Sequence, residues 1–169
     1  ELRWRGGPAC SVHSGGAATV AGVRTARFGG GGGKTRITRR FGSLHGRTLA
    51  PLHATGHPAK HDKFQPLPVG FIHAAAFDID DVARIIDPST AAVLIEVVQG
   101  EGGVHPAPEG YVRDLRALCD ERGVMLIVDE VQTGLARPGE WFGFEHAGSR
   151  PGSVTGANAR ATGQPPASW

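Results

Sequence analysis

The amino-acid sequence predicts an α/β protein built on a mainly parallel sheet. Two short apolar runs, residues 91–98 and 124–128, have the length and composition of strands that are buried on both faces. Between them, residues 109–122 carry apolar side chains on one helical face, and Gly123 follows as a helix stop. Strand, helix and strand in this order form a βαβ unit, for which parallel strands and a right-handed crossover are expected.

Composition divides the 169 residues into three regions. The first is rich in Gly, Ala and Arg and is expected to be a degraded N-terminal part. The second has ordinary α/β composition; within it, residues 78–86 place apolar side chains at the 3–4 spacing of a helix, which Pro88 ends. The third has no apolar periodicity and is expected to be disordered, with an interrupted reading frame as one explanation. The regions are residues 1–36, 37–148 and 149–169.

Composition also argues against several classes of protein. No apolar run approaches the roughly 20 residues that cross a bilayer, and no secretory signal is visible in the first ten residues. The first residue is Glu1 rather than Met, so the start of the reading frame is expected to be missing. Cys10 and Cys119 form neither a disulfide framework nor a metal pattern. The net charge is only +2, and we ascribe the early arginines to coding composition rather than to nucleic-acid binding. A cytoplasmic protein without metal, membrane or nucleic-acid partner is expected.

A glycine run at residues 29–33 precedes Lys34 and Thr35, as in the G-x-x-x-x-G-K-[ST] nucleotide-binding loop. That signature requires a further glycine at position 28, where the chain has Phe28. Residues 17–27, which precede it, are expected to be a helix rather than a strand. The sequence therefore does not predict a nucleoside triphosphatase.

Acidic residues follow both predicted strands. Glu96 ends the first run, and Asp129 and Glu130 come directly after the second. Ligands of parallel sheets bind at the carboxyl ends of the strands, so these acids are candidates for a binding site. Acids at strand ends also cap the turns that follow them, and the pattern alone favours neither interpretation.

Three segments, residues 41–48, 96–104 and 126–134, carry more specific information. They read FGSLHGRT, EVVQGEGGV and LIVDEVQTG. In this order and spacing they closely resemble the class III aminotransferases that use pyridoxal phosphate (PLP), nearest to the acetylornithine and ornithine aminotransferases. The resemblance runs from about residue 11 to residue 148. It implies part of the large domain of a fold-type I PLP-dependent transferase, which has three layers and a mainly parallel sheet.

The resemblance implies a cofactor site around the last segment. Asp129 matches the acid that keeps the pyridine nitrogen of PLP protonated, which the electron-sink chemistry of the ring requires. Gln132 matches the residue that hydrogen-bonds the phenolic oxygen, and Val131 the apolar residue under the ring. Leu44 stands where the family carries an aromatic side chain stacked on the ring, and His45 follows it.

Gly15 and Gly16, which follow Ser14, resemble the turn whose amides hold the cofactor phosphate at a helix N-terminus; a Gly-rich linker is the alternative. The resemblance also implies that Arg47 binds the substrate carboxylate, which its planar guanidinium suits. The alternative is that Arg47 is a surface arginine. Glu96 and Glu101 resemble acids on the substrate side of the pocket, and the alternative for Glu96 is an acid paired inside the fold.

The family attaches its cofactor to a lysine about thirty residues after the ring-nitrogen acid. No lysine follows Lys63, and Asn158 occupies the expected position, so no catalytic residue is assigned. By resemblance, the activity is transfer of an amino group from an N-acylated ornithine-like donor to 2-oxoglutarate in a homodimer of arginine biosynthesis. Ornithine and 4-aminobutyrate remain alternative donors. The alternative function is a non-catalytic remnant that binds cofactor or a partner weakly.

Overall fold

A computed structural model describes residues 9–75 and 77–157, and the backbone of 167 and 168. In chain order, the strands and α-helices are β1 Ser11–Val12, α1 Gly15–Gly29, β2 Arg36–Arg40, α2 Leu49–Ala54, β3 Phe71–Ala74, α3 Ile79–Ile85, β4 Thr90–Ile95, β5 Val98–Gln99, β6 His105–Pro106, α4 Tyr111–Arg122, β7 Met125–Asp129, β8 Ser153–Thr155 and β9 Ala167–Ser168. Short 3-10 helices cover Pro58–Lys60, Asp62–Phe64 and Gly143–Ala147. Among the described residues, no helix is both long enough and apolar enough to span a bilayer.

Five of these strands form one parallel sheet in the order β3-β2-β4-β7-β8. The two apolar runs of the sequence are β4 and β7, which pair side by side with Val93 opposite Leu126. The prediction of a βαβ unit with parallel strands is therefore confirmed. The strand β4 ends at Ile95 rather than at residue 98, and Val98–Gln99 instead pairs with His105–Pro106 in a small antiparallel hairpin.

Helices cover both faces of the sheet and give the expected three layers. On β4, Val93 and Ile95 belong to the apolar cluster that includes Leu115 of α4. The alternate residues Ala92 and Leu94 belong to the cluster that includes Val23 of α1. Successive side chains of a strand point to opposite faces, so a central strand between two helical layers is apolar at every position.

Local signals explain where the helices begin and end. Ser14 caps α1 by accepting the N–H of Ala17, and Asp78 caps α3 by accepting two N–H groups of its first turn. Gly123 ends α4 in the left-handed conformation, with φ of 60°. The three helices expected from the sequence are confirmed within two residues at most ends.

The first and third sequence regions both contribute to the folded domain. In the first, helix α1 buries Val23 and Ala26 against the sheet, so this part of the region belongs to the folded domain. In the third, Ser153–Thr155 is not disordered but forms the edge strand β8, parallel to β7. A three-residue strand has no readable periodicity; it forms because the free edge of β7 offers backbone hydrogen bonds.

Candidate active site

A pocket opens where the carboxyl ends of β4 and β7 meet the N-terminus of α1 and the loop after β2. Four separate parts of the chain contribute to its wall. The residues that line it are Gly15, Gly16, Leu44, His45, Gly46, Glu96, Asp129, Val131 and Gln132. All seven residues that sequence resemblance selected for the cofactor are in this set, together with one of the acids that it selected for the substrate.

Asp129 is the last residue of β7 and is 4% exposed. Its Oδ2 lies 2.8 Å from Nδ1 of His45, and its Oδ1 accepts the N–H of Val131 at 3.1 Å. An ionised carboxylate has about four acceptor positions, so this one keeps capacity for a further donor. His45 is fully buried at its side chain, and its Nε2 has no hydrogen-bond partner among the described residues.

The backbone of His45 is held by two threonines that are distant in sequence. Thr55, directly after α2, accepts the N–H of His45 at 3.2 Å, and its hydroxyl also lies 3.1 Å from the carbonyl oxygen of Gly46. Thr19 of α1 donates to the carbonyl oxygen of His45 at 2.9 Å. Sequence reasoning missed both threonines, because neither lies in a motif and both contacts join separate elements.

Glu96 follows β4 directly and is buried beside the same pocket. Its Oε1 accepts the N–H of Leu44 at 2.7 Å, and its Oε2 accepts the N–H of Gly100 at 3.2 Å. Burial raises the pKa of Glu96; His45 acts in the opposite direction, and the nearby Asp129 raises the pKa further. Glu96 therefore fits both roles considered for a strand-end acid: it caps loops, and it also lines the pocket.

The first turn of α1 closes one end of the pocket. A side chain at Gly15 would place its Cβ 3.2 Å from Cγ2 of Val131, and one at Gly16 would lie 3.4 Å from Oγ1 of Thr48. Ser14 satisfies the N–H of Ala17 and, through its carbonyl oxygen, the N–H of Ala18. The absence of side chains leaves the positive end of a 15-residue helix open to the pocket.

Two of the selected residues lie elsewhere, and one position singled out by the sequence is not described. Arg47 is exposed and does not line the pocket, although its neighbour Gly46 does. Glu101 is about half exposed and pairs with Lys60, with its Oε2 3.7 Å from Nζ. Asn158 falls outside the described residues.

Glu130, beside Asp129, fits the alternative interpretation of strand-end acids as caps. It is buried and accepts the N–H groups of Gly143 at 3.0 Å and Phe144 at 2.9 Å, together with the hydroxyl of Thr133. Burial raises its pKa, against the effect of these hydrogen bonds. Glu130 does not line the pocket.

Three histidines form a cluster of rings away from the pocket wall. The rings of His53 and His61 meet at 5.6 Å, and those of His61 and His73 at 6.2 Å. No group of three acid, histidine or cysteine side chains in the described part of the chain is arranged to hold a metal ion.

The family model of the class III aminotransferases matches residues 8–169. The chain belongs to this family. It is 50% identical to the acetylornithine aminotransferase of Myxococcus xanthus over 123 residues. The matched segment covers 73% of this chain and 31% of that protein. It is 39% identical to the acetylornithine aminotransferase of Aquifex aeolicus over 165 residues. This longer match covers 96% of this chain and 44% of that protein. This class III chain thus spans less than half the length of these relatives.

Solved aminotransferase structures share its fold. The ornithine aminotransferase of Toxoplasma gondii superimposes with a TM-score of 0.91 at 25% identity, covering 96% of this chain and 40% of that one. An (S)-enantioselective omega-transaminase of Thermomicrobium roseum gives a TM-score of 0.85 at 30% identity, covering 96% of this chain and 43% of that one. The Toxoplasma structure carries PLP at partial occupancy in its active site. The predicted family and its α/β fold are therefore confirmed, and PLP is the cofactor of that family.

Proposed function

We propose that this chain is the cofactor-binding part of an acetylornithine-type aminotransferase and that its pocket binds PLP without turnover. The observation that carries the proposal is the composition of the pocket wall. The glycines at the start of α1, the Leu44–His45 pair and the residues after β7 come from three separate segments, yet all of them line one pocket. Family resemblance had selected the same residues for the cofactor.

The residues present fit the chemical groups of PLP. Asp129 is a buried carboxylate with remaining acceptor capacity, which suits a protonated ring nitrogen. The open N-terminus of α1 beside Gly15 and Gly16 suits a phosphate. Leu44 and Val131 line the pocket and supply apolar surface for a ring.

When bound, PLP supplies an electron sink for substrate carbanions. Asp129 would hold the proton on the ring nitrogen, and His45 orients Asp129 through the bond between Nδ1 and Oδ2. Gln132 would hydrogen-bond the phenolic oxygen. Resemblance implies substrate contacts for Arg47, Glu96 and Glu101; of these three residues, Glu96 alone lines the pocket.

Names of the relatives support the choice of donor. The proposed donor is an N-acylated ornithine-like amine, as the name acetylornithine aminotransferase implies for the relatives. The proposed acceptor is 2-oxoglutarate. The full-length protein is proposed to be a cytoplasmic homodimer that serves arginine biosynthesis.

The lysine content favours cofactor binding without turnover. The only lysines are Lys34, Lys60 and Lys63, and none of them lines the pocket. Lys34 donates to the carbonyl oxygen of Gly123, and Lys60 pairs with Glu101. A lysine is the group that attaches PLP and moves protons in this family, so Asn158 at its position leaves the chain without that chemistry. A non-catalytic remnant is the second candidate function for this reason.

Titration of the purified chain with PLP tests the proposal. We expect a saturable change in the absorbance of the cofactor, and no covalent adduct in the mass spectrum after borohydride treatment. Asp129→Asn should weaken binding by at least about tenfold, because a hydrogen bond to a charged group contributes about 1.5–3 kcal/mol.

Asp114→Asn is the matched control, since Asp114 is an exposed acid of α4 that pairs with Arg113; its PLP affinity should equal that of the wild type. Failure of the wild-type chain to bind PLP contradicts the proposal. A borohydride-stable adduct on any lysine contradicts its non-catalytic part.

A further inference from the structure

Glu96 joins two backbone segments that are far apart in sequence. Its side chain starts at the end of β4, and its two oxygens accept N–H groups from Leu44, in the loop after β2, and from Gly100, in the turn of the β5–β6 hairpin. The carboxylate is 4% exposed, so water does not compete for these bonds. Each oxygen is thus used to fix one loop.

Both fixed segments belong to the wall of the pocket or support it. Leu44 lines the pocket directly and precedes His45, the partner of Asp129. Gly100 lies against Gln132, since a Cβ at Gly100 would be 3.6 Å from its Cγ. Movement of either loop would therefore displace residues proposed to contact the cofactor ring.

From this geometry we propose that Glu96 is a positioning residue: its carboxylate holds Leu44 and Gly100 in place and so shapes the cofactor pocket. The inference rests on the proposed binding of PLP and replaces the substrate-binding role that resemblance implied for Glu96. Only a carboxylate on a two-carbon stem meets both requirements. Glutamine keeps one acceptor oxygen and turns an NH₂ group toward the other N–H, and aspartate is one methylene shorter.

Amide hydrogen exchange of the cofactor-free chain tests the positioning role directly. In the wild type, the N–H groups of Leu44 and Gly100 should be protected. In Glu96→Gln and in Glu96→Asp, exchange at one or both should accelerate about tenfold or more, because a buried N–H loses its acceptor. The affinity for added PLP should fall about tenfold in both variants, since the wall of the pocket loosens.

Glu130→Gln is the matched control. Glu130 is an equally buried strand-end acid that accepts two backbone N–H groups, but it lies outside the pocket wall. Its substitution should accelerate exchange at Gly143 and Phe144 and leave the PLP affinity unchanged. Glu96→Asp keeps the carboxylate but shortens the side chain. It therefore distinguishes the effect of side-chain length from the effect of removing a charge near Asp129.

Several results would overturn the positioning role. Fast exchange at Leu44 and Gly100 in the wild type would do so without any variant, which covers the case of a substituted chain that does not fold. Unchanged exchange in Glu96→Gln, or wild-type PLP affinity in Glu96→Asp, would also contradict it, as would an equal loss of affinity in Glu130→Gln. The exchange measurement needs no cofactor. Failure of the wild type to bind PLP would therefore contradict the proposed function, while the exchange rates would still test whether Glu96 holds Leu44 and Gly100.

Discussion

Two groups of buried polar side chains in this fold differ in how their hydrogen-bonding capacity is met. The acids at the strand ends, Glu96, Asp129 and Glu130, all accept backbone N–H groups from the chain that follows them. Arg39 and Arg40 of β2 are equally buried, but Nε and Nη1 of Arg39 and all three nitrogens of Arg40 have no hydrogen-bond partner among the described residues.

The difference comes from the position of each group along its strand. A strand end is followed by a loop whose N–H groups are free to bind a carboxylate. The strand β2 pairs with β3 on one side and β4 on the other, so its surroundings offer few unused carbonyl oxygens to a cation. Burial accordingly lowers the pKa of Arg39 to about 9 and that of Arg40 to about 10. Backbone N–H groups thus offset part of the cost of burying the strand-end acids, whereas few acceptors offset the burial of Arg39 and Arg40.

The largest expected effect is a gain in stability from removing Arg40. Its guanidinium lies over the ring of Phe77, 3.1 Å from the centroid, so a methionine can fill much of the same apolar space. Arg40→Met should raise the free energy of unfolding by about 1–4 kcal/mol, as replacements of buried charges by apolar groups do. Urea denaturation measures it, with the exposed Arg24→Met as a control that changes little. A destabilised Arg40→Met would show that the two groups of side chains do not differ as described.

A pair of threonines sharpens the same comparison. Thr55 is fully buried and its hydroxyl bonds to the His45 segment, whereas Thr38 of β2 is equally buried and its Oγ1 has no partner within the described ranges. Thr55→Val should therefore cost about 1–3 kcal/mol of unfolding free energy, and Thr38→Val should be neutral or stabilising. Thermal unfolding of the two variants measures both changes in stability. Equal losses of stability in Thr55→Val and Thr38→Val would contradict the prediction.

A dependence of stability on pH follows from the histidines near Arg39. Burial, followed by the charge of Arg39, lowers the pKa of His73 to about 3. The unfolded chain then binds a proton below about pH 6.5 that the folded chain rejects. This contribution to stability is complete above pH 6.5 and is lost as the pH falls toward 3.

Because His73 is only partly buried, we expect the loss between pH 7.5 and pH 5 to be about 1 kcal/mol. His73→Gln should remove this part of the slope in urea denaturation at the two pH values. The exposed His105→Gln is the control and should keep the wild-type slope. A slope that survives in His73→Gln would assign the effect to other groups.

The smallest effect concerns backbone strain in the hairpin next to Glu96. Val104 is 70% exposed and has φ of 57°, a conformation that β-branched residues adopt only under strain. Val104→Gly should stabilise the chain by up to about 1 kcal/mol, the relief of strain minus the added entropy of glycine in the unfolded state. The exposed Val69, which has no positive φ, serves as control, since Val69→Gly should not stabilise.

Much of the fold and most of the pocket were predictable from local patterns and short motifs. Apolar runs and 3–4 spacings located β4, β7, α3 and α4, because the periods of strands and helices are properties of a few neighbouring residues. The rule that ligands bind at the carboxyl ends of strands directed attention to Asp129 and Glu96.

Other features were decided only when the chain folded. The bond between His45 and Asp129 joins residues 84 positions apart, and the contact of Thr19 with His45 joins residues 26 positions apart. The strand Ser153–Thr155 exists because β7 has an edge to pair with. Most guanidinium nitrogens of Arg39 and Arg40 lack partners because the neighbouring strands β3 and β4 leave few carbonyl oxygens unused. Such pairings depend on which elements become neighbours in space, and local sequence carries no record of that choice.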